Sequence, residues 1–79
     1  MSPTVFRQGP YRFFFFSREE PRPHVHISCP DGEAKFWIDP AAELAHNKGL
    51  NKRQLAELSK LVQERRNEIH QAWQDHFGG

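Results

Sequence analysis

Two short runs, His24-Val25-His26-Ile27-Ser28-Cys29 and Ala34-Lys35-Phe36-Trp37-Ile38-Asp39, flank the segment Pro30-Asp31-Gly32-Glu33. No other stretch restricts the fold as much. In an extended strand successive side chains point to opposite faces, so strict alternation fixes which residues share a side. Asp-Gly between two alternating runs is a strong hairpin signal. The runs are therefore expected to pair antiparallel about Asp31-Gly32. Cys29 then faces Ala34, Ser28 faces Lys35, Ile27 faces Phe36, His26 faces Trp37, Val25 faces Ile38 and His24 faces Asp39. Val25, Ile27, Cys29, Ala34, Phe36 and Ile38 form one apolar side, and His24, His26, Ser28, Lys35, Trp37 and Asp39 form the other. A slip of one residue would exchange the two sides, which specifies the register.

A second hairpin is expected upstream. Thr4 to Gln8 and Tyr11 to Ser17 are rich in β-formers and enclose Gly9-Pro10, with glycine at the first position of a two-residue turn. Gln8 then opposes Tyr11, Arg7 opposes Arg12 and Phe6 opposes Phe13. Phe6, Phe13 and Phe15 fall on a core side, and Val5, Arg7, Arg12, Phe14 and Phe16 on the other. The run Phe13 to Phe16 makes the second strand apolar on both sides. This suits either a central strand covered on both faces or a binding surface that uses Phe14 or Phe16.

Ser17 to Pro23 is charged and proline-rich and is expected to be an exposed loop. Pro40 to Leu50 is ambiguous. Ala41 to Ala45 suits a helical turn or a short edge strand, and Asn47-Lys48-Gly49 reads as a turn. From Asn51, a plausible N-cap, to Phe77 the chain reads as one long helix. Its stripe runs through Leu55, Leu58, Val62, Ile69, Ala72, Trp73 and Phe77, with Leu61 at its edge and Arg65 interrupting it. Lys60, Glu64, Asn67, Glu68 and Gln71 lie opposite, and Gly78-Gly79 ends the helix. Such a helix would span about 40 Å. The expected architecture is α+β: an antiparallel sheet of about four strands in two hairpins, one long C-terminal helix on one face, and a single domain over residues 1–79.

A chain of 79 residues buries a modest core, to which seven Phe, two Trp and one Tyr contribute. The net charge of +1 is too small to imply nucleic-acid binding by itself, though local patches still matter. A single cysteine, Cys29, excludes an internal disulfide framework and a cysteine-rich zinc site. No apolar run approaches the roughly 20 residues of a membrane span, and no signal segment follows Met1. The expectation is a soluble, cytoplasmic protein.

Pro21-Arg22-Pro23-His24-Val25-His26-Ile27 carries the sharpest chemical signal. Val25 and Ile27 anchor the strand while both imidazoles share the opposite face. Beside them, Asp39 orients an imidazole, Lys35 stabilises negative charge and Trp37 offers an aromatic plate. His24, His26, Asp39 and Lys35 are the candidate catalytic residues. The set suits acid–base cleavage of a ribose-phosphate backbone, with one histidine deprotonating the 2′-hydroxyl and the other protonating the leaving oxygen. Arg7, Arg12, Lys35 and Trp37 are the candidate nucleic-acid contacts. Three alternatives stand beside this reading: an ordinary solvated sheet face, a non-enzymatic protein-interaction module, and a metal site built on His24, His26 and Asp39. No metal or other cofactor is assigned. His46 is assigned to a turn, and His70 and His76 to the helix surface.

These residues carry a resemblance. Gly9-Pro10-Tyr11-Arg12-Phe13-Phe14-Phe15-Phe16, Pro23-His24-Val25-His26-Ile27, Gly32-Glu33-Ala34-Lys35-Phe36-Trp37-Ile38 and the closing Trp73-Gln74-Asp75-His76-Phe77-Gly78 together resemble the bacterial family called domain of unknown function 4160. The family's His-x-His falls on His24 and His26, and its lysine and tryptophan on Lys35 and Trp37. Where many members have an acidic or Asp-His pair and Pro-Pro before the first histidine, this chain has Glu19-Glu20-Pro21-Arg22-Pro23. The resemblance implies a small bacterial protein encoded beside a small cognate partner protein, in an arrangement similar to a toxin–antitoxin pair. It implies the toxin-like half, which fits an action on RNA. No catalytic mechanism comes with it.

Overall fold

The computed structural model describes residues 4–16 and 21–78. Five strands, β1 (Thr4–Gln8), β2 (Tyr11–Phe14), β3 (His24–Cys29), β4 (Gly32–Trp37) and β5 (Glu43–Lys48), form one antiparallel sheet in chain order. Two helices follow, α1 (Lys52–Glu64) and α2 (Arg66–Phe77). The α+β class agrees with the sequence; the strand and helix counts do not.

The first hairpin has the expected register, Gln8 with Tyr11, Arg7 with Arg12 and Phe6 with Phe13. Gly9 supplies φ +58° at the first turn position, and proline's fixed negative φ suits the second. A bulge between Thr4 and Phe6 then changes the parity. As a result Val5 packs with Phe6 against the core, a correction to its expected place beside Arg7.

The second hairpin is shifted by two residues. Cys29 pairs with Gly32, Ser28 with Glu33, Ile27 with Ala34, His26 with Lys35, Val25 with Phe36 and His24 with Trp37. Pro30-Asp31, and not Asp31-Gly32, therefore occupies the turn. Gly32 is needed as a strand residue, because any Cβ there would collide with the Lys48 carbonyl oxygen of β5. A shift of two preserves parity, so both faces keep their predicted residues while every cross-strand partner changes.

Glu43–Lys48, expected as a helical turn or short edge strand followed by a turn, is an edge strand that includes Asn47 and Lys48. The chain bends at Gly49, the last residue of the expected turn, where φ is +86°. The Asn47 side chain donates to the Leu50 carbonyl and accepts from the Leu50 N–H, both at 3.1 Å. This holds the path into α1. Asn51 caps that helix as predicted, its Oδ1 accepting from Gln54 N–H at 2.8 Å while Gln54 Oε1 accepts from Asn51 N–H at 3.0 Å. Gln54 also donates to Asp31 at 2.9 Å, tying the helix start to the β3–β4 turn.

The single long helix is corrected to two. Arg65, at φ −109° and ψ 18°, leaves the helical range between α1 and α2. An unbroken helix of about 40 Å would exceed the molecule's longest extent of 36 Å. The residue that interrupts the apolar stripe is also the break. Its guanidinium lies 3.4 Å from the Phe6 ring centroid and forms a two-pronged pair with Glu68 at 2.8 and 2.9 Å. On either side Leu58, Val62, Ile69 and Trp73 meet Phe13, Phe15, Val25, Ile27, Phe36 and Ile38 in the core. Arg66 fastens α2 to the end of β4, donating to the Ile38 carbonyl at 2.6 Å and the Pro40 carbonyl at 2.7 Å. The helices cover one sheet face and leave the His/Lys/Trp side as the outer face. Among the described residues no helix is long and apolar enough to cross a membrane.

Candidate functional site

Cross-strand pairing sets the outer face in rows. The central row runs Phe14 on β2, His26 on β3, Lys35 on β4 and His46 on β5. The next row toward the start of β3 holds His24, Trp37 and Glu43. On the other side lie Arg7, Arg12, Ser28, Glu33 and Lys48. A depression of about 390 Å³ opens over the central row, with Phe14, Phe16, His26, Lys35, Trp37 and His46 among its lining residues. Its volume lies in the range of small-ligand sites.

The aromatic rings on this face are arranged around cations. The Arg12 guanidinium lies 4.5 Å from the Phe14 centroid, and Lys35 Nζ and the Arg22 guanidinium lie 4.4 and 4.3 Å from Trp37. Such contacts set each positive charge against the negative face of a ring. The Phe16 ring, 46% exposed, stands edge-on to His26 at 4.4 Å and to Phe14 at 5.3 Å. Among described residues of the face, Arg7, Arg12, Arg22, Lys35 and Lys48 outnumber Glu33 and Glu43.

His24 is not on open sheet. It is 0% exposed, packed between Trp37 at 5.5 Å and Trp73 of α2 at 5.0 Å, with His26 at 5.0 Å. Its Nδ1 lies 2.7 Å from the Arg22 carbonyl. A carbonyl only accepts, so Nδ1 carries the hydrogen. The segment before β3 continues alongside the end of β4: the Pro23 carbonyl accepts from Ile38 N–H and Arg22 Nε donates to the Asp39 carbonyl, both at 3.2 Å, which sets the Arg22 guanidinium over Trp37.

Asp39 is separated from both histidines. Trp37 takes the place opposite His24, and the Asp39 carboxylate turns toward α2, 3.9 Å from Arg66 and 4.0 Å from His70. The expected His24–Asp39 pair does not form, nor does a His24/His26/Asp39 ligand set. Among the described residues no group of three His, Cys, Asp or Glu side chains stands ready to hold a metal ion. Cys29 is half-buried against the core, as parity predicts.

The structure thus brings together His26, Lys35 and Trp37, sets Arg7 and Arg12 at the rim, sinks His24 and removes Asp39. It adds His46, which sequence reasoning assigned to a turn. The available signal was the option of a strand after Pro40, since an edge strand there pairs with β4 and puts one of its residues beside Lys35. The charged loop expected over Ser17 to Pro23 lies partly outside the described residues; Pro21 and Arg22 are exposed.

No curated protein and no solved structure matches this chain. The sequence profile described as "Domain of unknown function (DUF4160)" matches residues 11–74, a span from the start of β2 to within three residues of the end of α2 that includes every lining residue of the outer-face depression. The chain therefore belongs to the DUF4160 family.

Proposed function

We propose that this protein binds single-stranded RNA on the outer face of its sheet, as the toxin-like half of a pair whose other member is a small cognate protein. The observation that carries the RNA reading is the depression over the Phe14–His26–Lys35–His46 row, with exposed Phe16 beside it and cations against the Phe14 and Trp37 rings. Single strands are bound by positive grooves whose aromatic rings stack the bases, and an open four- or five-stranded sheet is a common platform for them. The nucleic-acid contacts in this reading are Arg7, Arg12, Lys35 and Trp37, joined by Phe16.

The test is fluorescence anisotropy with a short labelled single-stranded RNA across a salt series. Binding weakens linearly on a log–log salt plot, with a slope near −0.7 per neutralised phosphate. Phe16→Ala weakens it by about fivefold to a hundredfold, the loss of one stacked base, and Trp37→Ala weakens it by removing the ring that holds Lys35 and Arg22 in place. Lys35→Ala reduces the salt slope. No binding at low salt, or binding indifferent to all three changes, overturns the reading. If the same three changes instead abolish capture of a folded partner protein, the face is a protein-docking surface.

A further inference from the structure

Resting on the RNA reading above, we propose that His26, Lys35 and His46 form a metal-independent RNA-cleaving row. Register alone puts them on three adjacent strands, at successive cross-strand positions of one face. Neighbouring strands lie about 4.8 Å apart, so the two histidines flank Lys35 with their backbones roughly 10 Å from each other. All three line the same depression. A phosphodiester seated in that depression lies among the three side chains, with the Lys35 ammonium on the Trp37 side, 4.4 Å from that ring centroid.

The chemistry this permits is a transesterification. One imidazole, neutral, takes the proton from a ribose 2′-hydroxyl as that oxygen attacks the adjacent phosphorus. The bond from phosphorus to the 5′-oxygen of the next nucleotide breaks. The other imidazole, protonated, gives its proton to that leaving oxygen. Lys35 offsets the extra negative charge on the phosphoryl oxygens in the transition state. The products are a 2′,3′-cyclic phosphate and a 5′-hydroxyl. One imidazole ends protonated and the other neutral, so charge balances without water, oxidant or metal. His24 has no part in the row: it is enclosed, and its Nδ1 hydrogen is committed to the Arg22 carbonyl. Among the described residues the charged groups around the row are Glu33, Glu43 and Lys48 on β4 and β5, Arg12 on β2, and Arg22 beside Trp37.

The experiment incubates the protein in EDTA with a short single-stranded RNA and, separately, with the all-2′-deoxy version of the same strand. Product termini are identified by mass. The expected result is cleavage of the RNA alone, to cyclic-phosphate and 5′-hydroxyl ends, with a bell-shaped pH–rate profile. His26→Gln and His46→Gln each lower the rate by about a hundredfold or more while binding of the deoxy strand persists. His70→Gln, on α2, leaves the rate unchanged. His46 lies on an exposed edge strand, so its variant reports on chemistry even if His26→Gln impairs folding. Binding of both strands without cleavage, or cleavage unaffected by His46→Gln, overturns the row and leaves the RNA-binding reading intact. Failure to bind either strand overturns both.

Discussion

The placement of β5, and with it His46, depends on how closely β5 approaches Gly32, and this yields a quantitative prediction. A Cβ at residue 32 would collide with the Lys48 carbonyl oxygen and lie 3.0 Å from Gly49 Cα and 3.1 Å from the Gly49 carbonyl carbon. All three atoms are backbone, so no side chain can rotate away. In Gly32→Ala the end of β5 must separate from β4. Overpacking costs about 1–3 kcal/mol, and a loosened ladder hydrogen bond adds about 0.5–1.5 kcal/mol. Together the change costs about 2–4 kcal/mol, against a total stability of about 4–12 kcal/mol for a chain this size. Gly9→Ala is the reference. Gly9 has φ +58° but nothing within 4 Å of an added Cβ, so it carries only the left-handed backbone cost of about 1–2 kcal/mol. Urea unfolding followed by tryptophan fluorescence reads both. With an m-value of about 1–1.5 kcal/mol/M, Gly32→Ala lowers the midpoint by about 2 M, well beyond Gly9→Ala. A Gly32→Ala midpoint equal to or above that of Gly9→Ala would refute the close approach and the β4–β5 register built on it.

Two further perturbations test the framework. Burial first, then a hydrogen bond and negative charge from Glu57, with smaller effects of Cys29 and Asp31, hold the Tyr11 phenol above its ordinary pKa of 10.0. Because the folded value is raised, this contribution to stability is complete below about pH 10 and is lost as pH climbs through the folded value. Urea midpoints of the wild type should fall more steeply above pH 10 than those of Tyr11→Phe, and parallel declines would contradict the argument. Arg66→Ala removes two short bonds to the carbonyls of Ile38 and Pro40. At about 1.5–3 kcal/mol for bonds to a charged donor, the melting temperature drops by roughly 6 °C or more. A change within about 1 °C would mean that α2 is not fastened through this residue.

What the sequence revealed and what it hid follow from the range of each signal. Alternation has a period of two, so the division of β3 and β4 into a wet and a dry face survives a register error of two residues. The turn itself was settled by a contact distant in sequence, Gly32 against Lys48, which no local pattern records. β5 is exposed along its whole length. Without a buried side it shows no alternation, and it forms because the edge of β4 offers it backbone partners. His46 was hidden for that reason. His24 shows a different limit: parity gives the side of a residue but not its depth, and the ring is enclosed by Trp73, which lies 49 residues away in the sequence. Arg65 was readable in part, since a charge in an apolar stripe marked the position where the helix breaks.

Imidazole- and indole-resolved NMR during titration with a short single-stranded RNA shows whether the outer sheet face is the RNA surface. The resonances of His26, His46 and the Trp37 indole should move together and saturate, while those of His70 and His76 on α2 stay in place. Shifts confined to α2, or no shifts at all, would contradict this.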